Sequence, residues 1–387
     1  MMERVAVVGV GQTRFVSHRK DVIHPELVHE AVSAALADAK LAIGDIEAVI
    51  FGVMDPFDGV DCLDRWCAGA AGGFNKPFMR VNTAGTTGMS TAMAAYEQVA
   101  AGFFKVVLAV AEQRVGESAD AQSILNTCAC PIHDRSFGAG AITLGSFPAA
   151  RHMHRYGSTH AQRALVAVKN HRHAMLNPYA HLRFEVTVED VLSSRVIEWP
   201  LRLLECCPRS DGAVAVVMAA GDAATAITGR PAWINGVVSI ADTFFYGDRP
   251  DVAYRDNLAV AARRLYRKTG IKNPRKEIDV AELYSPFTSL EIIQTEALGF
   301  CPEGKGAQLV EEGVTWLGGE LPVNPSGGVL CTNPIGATAL VRVAEAALQV
   351  MGRAGEHQVP GVETALCTGL GGVLQFQTLM LLGTSPR

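Results

Sequence analysis

The segment Val81-Asn82-Thr83-Ala84-Gly85-Thr86-Thr87-Gly88-Met89-Ser90 carries the pattern that decides the fold. Its small residues form a strand-to-helix turn, since residues 85–88 open an alanine-rich helix that extends to Ala101. An apolar strand follows at residues 106–111. A helix joined in this way to a buried strand predicts an α/β fold.

The same pattern returns later in the chain. Residues 336–339 open a second alanine-rich helix that runs to Val350, and a strand follows at residues 363–367. A second helix-then-strand pattern also occurs in both parts of the chain. The helix at residues 26–39 with the strand at 45–52 corresponds to the helix at residues 257–268 with the strand at 277–284. We therefore predict two duplicated β-α-β-α-β halves with mixed five-stranded sheets and buried helices. The small residues at the helix starts also let two buried helices approach closely, so they have a second interpretation as packing residues. Duplication and close packing can both hold.

The length of 387 residues suits two domains. Gly229-Arg230-Pro231 marks the predicted boundary, which gives an N-terminal half of residues 1–228 and a C-terminal half of residues 229–387. Residues 115–190 look irregular and are richer in His, Arg and Pro. We expect an inserted loop region there, and loops of that length commonly carry binding functions.

Composition narrows the class of protein. Hydrophobic residues make up 49% of the chain, and 38 glycines are consistent with a closely packed α/β core. A net charge of −5 without long runs of one sign argues against nucleic acid and against an anionic membrane as partners. No apolar stretch reaches the roughly 20 residues of a membrane span. We expect no membrane partner.

The cysteines favour a reducing compartment. Nine of them, an odd number in a long chain, argue against a disulfide framework. The N-terminal residues run directly into an apolar strand without a secretory pattern, so we expect a cytoplasmic protein. Cys128, Cys130 and His133, and the pair Cys206-Cys207, lack the spacing of a structural zinc site. We therefore expect no metal, and we expect no covalently bound cofactor.

Seven stretches together resemble the thiolase superfamily, and most closely the sterol-carrier-protein-x type thiolases and their lipid-transfer-protein relatives. They follow one another in the order expected for that family over nearly the whole chain. These stretches are Lys169-Asn170-His171 with Asn177-Pro178-Tyr179-Ala180, Cys207-Pro208-Arg209-Ser210-Asp211-Gly212-Ala213, Glu282-Leu283-Tyr284-Ser285-Pro286-Phe287, Val323-Asn324-Pro325-Ser326-Gly327-Gly328, Asn333-Pro334-Ile335-Gly336-Ala337-Thr338, Gly369-Leu370-Gly371-Gly372, and the turn at Gly85.

Three positions depart from the family pattern. Thiolases of this type use a nucleophilic cysteine, a histidine in a His-Asp-Cys-Phe motif and a histidine in a Gly-His-Pro motif, whereas the matching positions here hold Gly85, Tyr284 and Asn333. Glycine cannot form an acyl-enzyme. The resemblance therefore points to the nucleophile-less branch of the family, which is similar to the steroid side-chain aldolases.

The resemblance implies roles for the residues that remain. Asn333 and the backbone amides of Gly85 and Gly371 would stabilise the negative charge on a thioester oxygen. Asn333 has a second interpretation as a cap of the following helix, because asparagine is a favoured cap. Tyr284 would relay a proton from a β-hydroxyl group, or it is a buried tyrosine held for packing.

Two cysteines are further candidates. Cys367 precedes a glycine turn and resembles the acid/base cysteine of thiolases, although such a residue is equally common in a core. Cys331 lies two residues before Asn333 and is a candidate replacement nucleophile.

Three functions follow as hypotheses. The first is aldol or retro-aldol chemistry on a 3-hydroxyacyl-CoA with a bulky, sterol- or lipid-derived side chain, and the second is an acetyl-CoA acyltransferase that uses Cys331 or Cys367. The third is a catalytically poor acyl-CoA-binding subunit of a complex. The resemblance also implies a homodimer and a small partner protein with an OB-fold and a zinc ribbon, which together would form a heterotetramer.

Overall fold

The computed structural model describes residues 2–57, 59–253 and 256–387, and these residues form an α/β fold. Five strands belong to the N-terminal half, four to the C-terminal half, and two make a separate short hairpin. The strands are β1 Val5–Gln12, β2 Ala48–Gly52, β3 Phe78–Val81, β4 Val106–Arg114, β5 Val196–Glu198, β6 Leu201–Arg202, β7 Asp211–Ala220, β8 Ala232–Ala241, β9 Val280–Glu282, β10 Thr364–Gly371 and β11 Phe376–Gly383.

Helices cover the strands and connect them. In the part of the chain that the structure describes, none of these helices combines the length and the apolar character needed to cross a bilayer. The helices are α1 His24–Ala39, α2 Leu63–Cys67, α3 Thr87–Ala100, α4 Ala121–Asn126, α5 Ala141–Tyr156, α6 His160–Ala174, α7 Val188–Ser193, α8 Gly221–Ile227, α9 Asp256–Thr269, α10 Pro274–Glu277, α11 Thr288–Ala297, α12 Gly306–Glu311, α13 Gly328–Cys331 and α14 Ile335–Met351.

Nine of these strands form one sheet, in which neighbours are hydrogen-bonded in the order β3-β2-β4-β7-β1-β8-β11-β10-β9. The two halves meet where β1 and β8 pair antiparallel, with Ala6 opposite Trp233. β2 is parallel to both β3 and β4, and β9 is parallel to β10, whereas the other pairs are antiparallel. This arrangement repeats the same topology outward from the β1–β8 pair, as the predicted duplication requires.

The C-terminal half has four strands and a single bridge in place of the fifth. Val323 pairs in parallel with Ala281 of β9, at the position that β3 occupies in the first half. Pro322 and Pro325 flank this bridge. Because proline has no N–H to donate, it prevents the bridge from extending into a strand.

Two helices lie between the halves of the sheet. A shared hydrophobic cluster packs α3 and α14 against β1, β4 and β7 on one side and against β9, β10 and β11 on the other. α1 covers the outer face of the first half, and α9 covers that of the second. A Cβ atom at Gly88 of α3 would lie 2.3 Å from Leu340 N of α14, so the predicted close approach of the two helices is confirmed.

The region that we predicted to be irregular is largely helical. Residues 115–190 contain α4, α5, α6 and α7. α6 begins with a capping box in which Thr159 accepts from Gln162 N and the Gln162 side chain accepts from Thr159 N. α6 packs against α11, α12 and α13 of the other half. Its histidines and arginines misled the sequence analysis because many of them are buried against those helices.

His173 of α6 makes the stability of the fold depend on pH. Its Nε2 accepts from Leu317 N at 2.9 Å, and its Nδ1 faces the Asn324 carbonyl oxygen at 3.0 Å, so the ring is held neutral. Burial, with a further contribution from the positive charge of Lys169, lowers the pKa of His173 to about 3. In the unfolded chain, by contrast, histidine titrates near pH ~6.5.

The free energy of unfolding is expected to fall as pH drops below about 6.5, because the unfolded chain then binds a proton that His173 in the folded chain does not. The contribution of this residue is about 1.4 kcal/mol per pH unit until its folded pKa is reached. Urea unfolding between pH 7 and 4 measures the slope. The variant His173→Gln should show a shallower slope of the unfolding free energy against pH. The control is the exposed-site variant His29→Gln, which should keep the wild-type slope. Equal slopes in His173→Gln and the wild type would contradict this assignment.

Candidate functional site

A cavity of about 340 Å³ lies where the starts of α3 and α14 meet the end of β9 and the β10–β11 turn. Four of the predicted site residues lie on the cavity wall, and they come from both halves of the chain: Gly85, Tyr284, Asn333 and Gly371. The rest of the wall is mostly apolar. Its apolar side chains include Met54, Phe57, Ile124, Leu125, Ile142, Leu144, Phe287, Ile335 and Leu374.

Gly85 and Gly371 allow two backbone segments to approach at the cavity wall. A Cβ atom at Gly85 would lie 2.6 Å from the Leu370 carbonyl oxygen and 3.2 Å from Tyr284 Oη. A Cβ atom at Gly371 would lie 2.8 Å from Thr86 N. The space that a side chain at position 85 would need is therefore occupied by backbone and by a phenol.

Tyr284 lies two residues beyond the end of β9, and its side chain is 4% exposed. Its backbone is fixed, because its N–H donates to Thr368 Oγ1 at 2.8 Å and its carbonyl oxygen accepts from Gln294 Nε2 at 2.7 Å. Burial raises the pKa of the Tyr284 phenol, and the Cys207 thiol adds to this, whereas a hydrogen bond with Thr338 opposes it. The phenol is consequently protonated at neutral pH.

Asn333 lies on the same wall, and both ends of its amide have partners. Its Oδ1 accepts from Thr338 Oγ1 at 2.8 Å, and its Nδ2 donates to Cys207 Sγ at 3.2 Å. The helix α14 starts at Ile335 with Pro334 as its N-cap and without a side-chain cap. The interpretation of Asn333 as a helix cap is therefore wrong, because its amide bonds the Cys207 and Thr338 side chains and no backbone N–H of α14.

Cys207 is a site residue that the sequence analysis missed. Its side chain lines the cavity with Tyr284 and accepts the hydrogen bond from Asn333. Its backbone N–H donates to the Pro286 carbonyl oxygen at 2.9 Å, which places the thiol beside the loop that carries Tyr284. The signal in the sequence was the Cys207-Pro208-Arg209-Ser210-Asp211 stretch, which resembles the thiolase superfamily but to which we assigned no catalytic role.

The structure does not bring Cys367 or Cys331 to the cavity. Both side chains have no exposed area, and neither belongs to the cavity wall within the described part of the chain. Cys367 lies in β10, and its Sγ faces the Met380 carbonyl oxygen at 3.6 Å. Cys331 packs against Ala174 and Ala180. Burial raises the pKa of both thiols, so each is protonated and shielded.

The β10–β11 turn forms the rim of the cavity in a strained conformation. Gly372, Val373 and Leu374 have φ angles of 52°, 45° and 64°. A β-branched residue is rarely found in this left-handed region, and such strain is concentrated at ligand sites. Asn257 Nδ2 donates to the Leu374 carbonyl oxygen at 3.0 Å and so holds the turn in place.

A buried ion pair connects the Tyr284 loop to α14. Arg342 Nη1 donates to Glu282, the last residue of β9, and also to Ser326 Oγ at 2.8 Å. Ser326 Oγ in turn donates to Glu282 Oε2 at 2.8 Å. Since Asn333 directly precedes α14, this pair fixes Tyr284 and Asn333 relative to each other.

Removing the cation from this pair is expected to destabilise the protein by about 3–5 kcal/mol, because Arg342→Met leaves the Glu282 carboxylate buried without its partner. Equilibrium unfolding in urea measures the change. The matched control is Lys276→Met, which removes the exposed partner of Glu320 and should leave the free energy of unfolding unchanged. A variant Arg342→Met as stable as the wild type would show that the pair does not hold the site together.

The site holds no recognisable metal-binding set. Within residues 2–57, 59–253 and 256–387, no three His, Cys, Asp or Glu side chains are grouped so that they could bind a metal ion. The polar groups of the cavity include the Tyr284 phenol, the Asn333 amide, thiols and backbone amides at the start of a helix, and Gln122, Thr127 and Arg209 also line it. Such groups suit proton transfer and the stabilisation of an oxyanion.

Comparison with known proteins gives consistent matches over both halves. Residues 5–222 match the thiolase N-terminal domain, and residues 239–384 match the thiolase C-terminal domain-like family. The acetyl-CoA acetyltransferase of Methanothermobacter thermautotrophicus is 33% identical over 374 residues, which cover 96% of this chain and 97% of that protein. Sterol carrier protein 2 of Homo sapiens is 31% identical over 393 residues, which cover 96% of this chain and 70% of that protein.

A solved structure agrees with these matches. The Ltp2-ChsH2(DUF35) aldolase superposes with a TM-score of 0.84 at 28% sequence identity and covers 98% of this chain and 98% of the other.

Proposed function

Because this chain belongs to the thiolase family and is an enzyme of thiolase type, we propose that it breaks or forms a carbon–carbon bond in an acyl-CoA without a covalent acyl-enzyme. The reaction is the retro-aldol cleavage of a 3-hydroxyacyl-CoA, or its reverse. A thioester enolate leaves when the bond between the α and β carbons breaks, and the β-hydroxyl carbon becomes a ketone or an aldehyde. Coenzyme A thioesters are the substrates of this family.

One observation carries the proposal: the place of a nucleophilic side chain at position 85 is filled. The Leu370 carbonyl oxygen and the Tyr284 phenol occupy the space next to Gly85, so a phenol lies at this point of the wall, where a nucleophilic side chain would need room. A retro-aldol needs that group and an oxyanion site, whereas thiolysis needs a nucleophile. Similarity to a solved aldolase supports the same choice.

The surviving groups suit the steps of a retro-aldol. The amides at Gly85 and Thr86 lie at the start of α3, where backbone N–H groups without helical partners favour negative charge. These amides, the amide of Gly371 and the Asn333 side chain would bind the thioester oxygen as it becomes an enolate. Tyr284 would accept the proton of the β-hydroxyl group while the proton of its phenol moves to another group. In this proposal Cys367 has a structural role only.

The cavity supports a bulky, apolar acyl group. Its volume of about 340 Å³ is within the range of small-molecule sites, and its wall is mostly aliphatic and aromatic. A 3-hydroxyacyl-CoA with a sterol- or lipid-derived side chain would bury apolar area there. We include in the proposal a homodimer and a small OB-fold partner with a zinc ribbon, as the family resemblance implies, and the similarity to the Ltp2-ChsH2(DUF35) aldolase supports the presence of a partner protein.

The second candidate is acyl transfer, which the similarity to an acetyl-CoA acetyltransferase favours. Incubation with matched panels of 3-hydroxyacyl-CoA and 3-oxoacyl-CoA, followed by mass spectrometry, separates the two. A short acyl-CoA and a ketone or aldehyde, formed from the 3-hydroxy substrate without free CoA, is the expected result. If the protein cleaved the 3-oxoacyl-CoA substrates but no 3-hydroxyacyl-CoA, and did so only when CoA was added, the aldolase proposal would be contradicted.

A further inference from the structure

The proposed retro-aldol leaves one proton transfer without an assigned group, and the cavity contains a candidate for it. The enolate that leaves must be protonated at its α-carbon before the short acyl-CoA is released. Tyr284 starts each turnover protonated, because burial raises the pKa of its phenol. It can accept the β-hydroxyl proton only if its own proton moves to another group. Asparagine does not titrate, so Asn333 cannot be that group.

Three thiols line the cavity, and one of them is connected to the other polar groups. Cys207 Sγ accepts a hydrogen bond from Asn333 Nδ2 at 3.2 Å. Cys206 Sγ instead faces the Arg202 carbonyl oxygen at 3.3 Å. Cys128 lies on the wall in the segment that follows α4. Cys207 is thus the thiol positioned at the oxyanion side of the cavity.

The direction of the Asn333 hydrogen bond determines what the thiol can do. Because the sulfur accepts from Asn333, the S–H bond of Cys207 is free to point toward the cavity. Burial raises the pKa of the Cys207 thiol to about 12, so the thiol holds a proton that it can give, and the hydrogen bond from Asn333 opposes this rise by stabilising the thiolate. Asn333 is oriented by Thr338, whose hydroxyl donates to its oxygen, and Thr338 also bonds the Tyr284 phenol.

The position of Cys207 is fixed by the loop that carries Tyr284. Its backbone N–H donates to the Pro286 carbonyl oxygen at 2.9 Å, and Cys206 forms an antiparallel bridge with Phe287. Any movement of the Tyr284 loop therefore moves the thiol with it. The two groups also sense each other electrostatically, since ionisation of Cys207 raises the pKa of Tyr284.

We propose that the Cys207 thiol is the acid that protonates the α-carbon of the thioester enolate. The S–H bond breaks as the α-carbon–hydrogen bond forms, and the sulfur keeps the electron pair. The transfers are concerted: as the bond between the α and β carbons breaks, the Cys207 proton moves to the α-carbon, the Tyr284 proton moves to the sulfur, and the β-hydroxyl proton moves to the phenol oxygen. Both groups end the turnover protonated, and no external acid is consumed. This proposal rests on the proposed aldolase function.

The test uses a 3-hydroxy-2-methylacyl-CoA substrate in D₂O, which yields propionyl-CoA that carries deuterium at its α-carbon. The wild type should place the deuterium on one face only. Cys207→Ala is expected to lower the cleavage rate about 10²-fold or more and to give both stereoisomers, because solvent then protonates the enolate from either side. Cys207→Ser keeps a hydrogen-bonding proton and should retain one face at a reduced rate.

Cys62→Ala and Cys301→Ala are matched controls, since each removes a partly buried thiol that lies outside the cavity wall, and both should keep the rate and the stereochemistry. The unfolding midpoint of every variant is measured in parallel, so a loss of structure is detected separately. Wild-type rate and selectivity in Cys207→Ala would overturn the assignment of Cys207 and leave the aldolase function standing. No cleavage by the wild type of any 3-hydroxyacyl-CoA would overturn both.

Discussion

Replacing Tyr284 by phenylalanine is expected to lower the rate of carbon–carbon bond cleavage by about 10²–10⁴-fold, which is the usual contribution of a positioned acid–base group. Tyr284 is 4% exposed, and its Oη lies 3.2 Å from the place of a Cβ atom at Gly85, where the proposal places the reacting atoms. Substrate binding should change little, because the ring remains and only the hydroxyl is lost. The measurement is kcat and KM for a 3-hydroxyacyl-CoA.

Tyr266→Phe is the matched control. Tyr266 is a half-buried tyrosine of α9 whose hydroxyl donates to the Leu298 carbonyl oxygen at 2.8 Å, and it does not belong to the cavity wall. Its loss should cost about 1 kcal/mol of stability without an effect on kcat. If Tyr284→Phe kept the wild-type kcat, the proton-transfer role would be wrong. Tyr284 would then be a buried tyrosine held for packing, which is the alternative that the sequence analysis left open.

Introducing a side chain at Gly85 is expected to abolish activity, and a cysteine there should not restore thiolysis. The Cβ atom of Gly85→Ala or Gly85→Cys would meet the Leu370 carbonyl oxygen at 2.6 Å. Because that atom belongs to the backbone of β10, the start of α3 and the end of β10 must separate. Overpacking of this kind costs about 1–3 kcal/mol, and it displaces both sets of amides from the thioester oxygen.

Activity and unfolding midpoint are measured together for the Gly85 variants. Gly229→Ala is the control, since a Cβ atom there meets nothing within 4 Å. A variant Gly85→Cys that cleaves a 3-oxoacyl-CoA with added CoA would mean that the site still has room for a nucleophile. The chain would then be a thiolase that lacks one residue. The interpretation that the nucleophile position is filled by other groups would be wrong.

Periodicity and turn residues were sufficient to predict most of the fold. The apolar spacing in residues 26–39 and 257–268 corresponds to α1 and α9, and the glycine turn at Gly85 does open α3. The resemblance to thiolases of the sterol-carrier-protein-x and lipid-transfer type is confirmed, as is the α/β fold. The boundary between residues 228 and 229 stays a prediction.

The site was less accessible to sequence reasoning, because its geometry depends on long-range contacts. Cys207 and Asn333 are 126 residues apart, and no local pattern shows that their side chains meet. Cys367 follows a family motif in the sequence, yet its side chain points into the core at β11. The helices within residues 115–190 were missed because buried histidines such as His173 look like surface residues when their partners are unknown.

The central claim is that bond cleavage proceeds without an acyl-enzyme, and intact-protein mass spectrometry during turnover tests it most directly. The protein, with its candidate partner present, is mixed with a 3-hydroxyacyl-CoA, quenched in acid and weighed. The account predicts unmodified protein while the ketone or aldehyde and the short acyl-CoA accumulate in equal amounts without free CoA. A mass increase equal to an acyl group on Cys207, Cys331 or Cys367, which disappears when CoA is added, would contradict it.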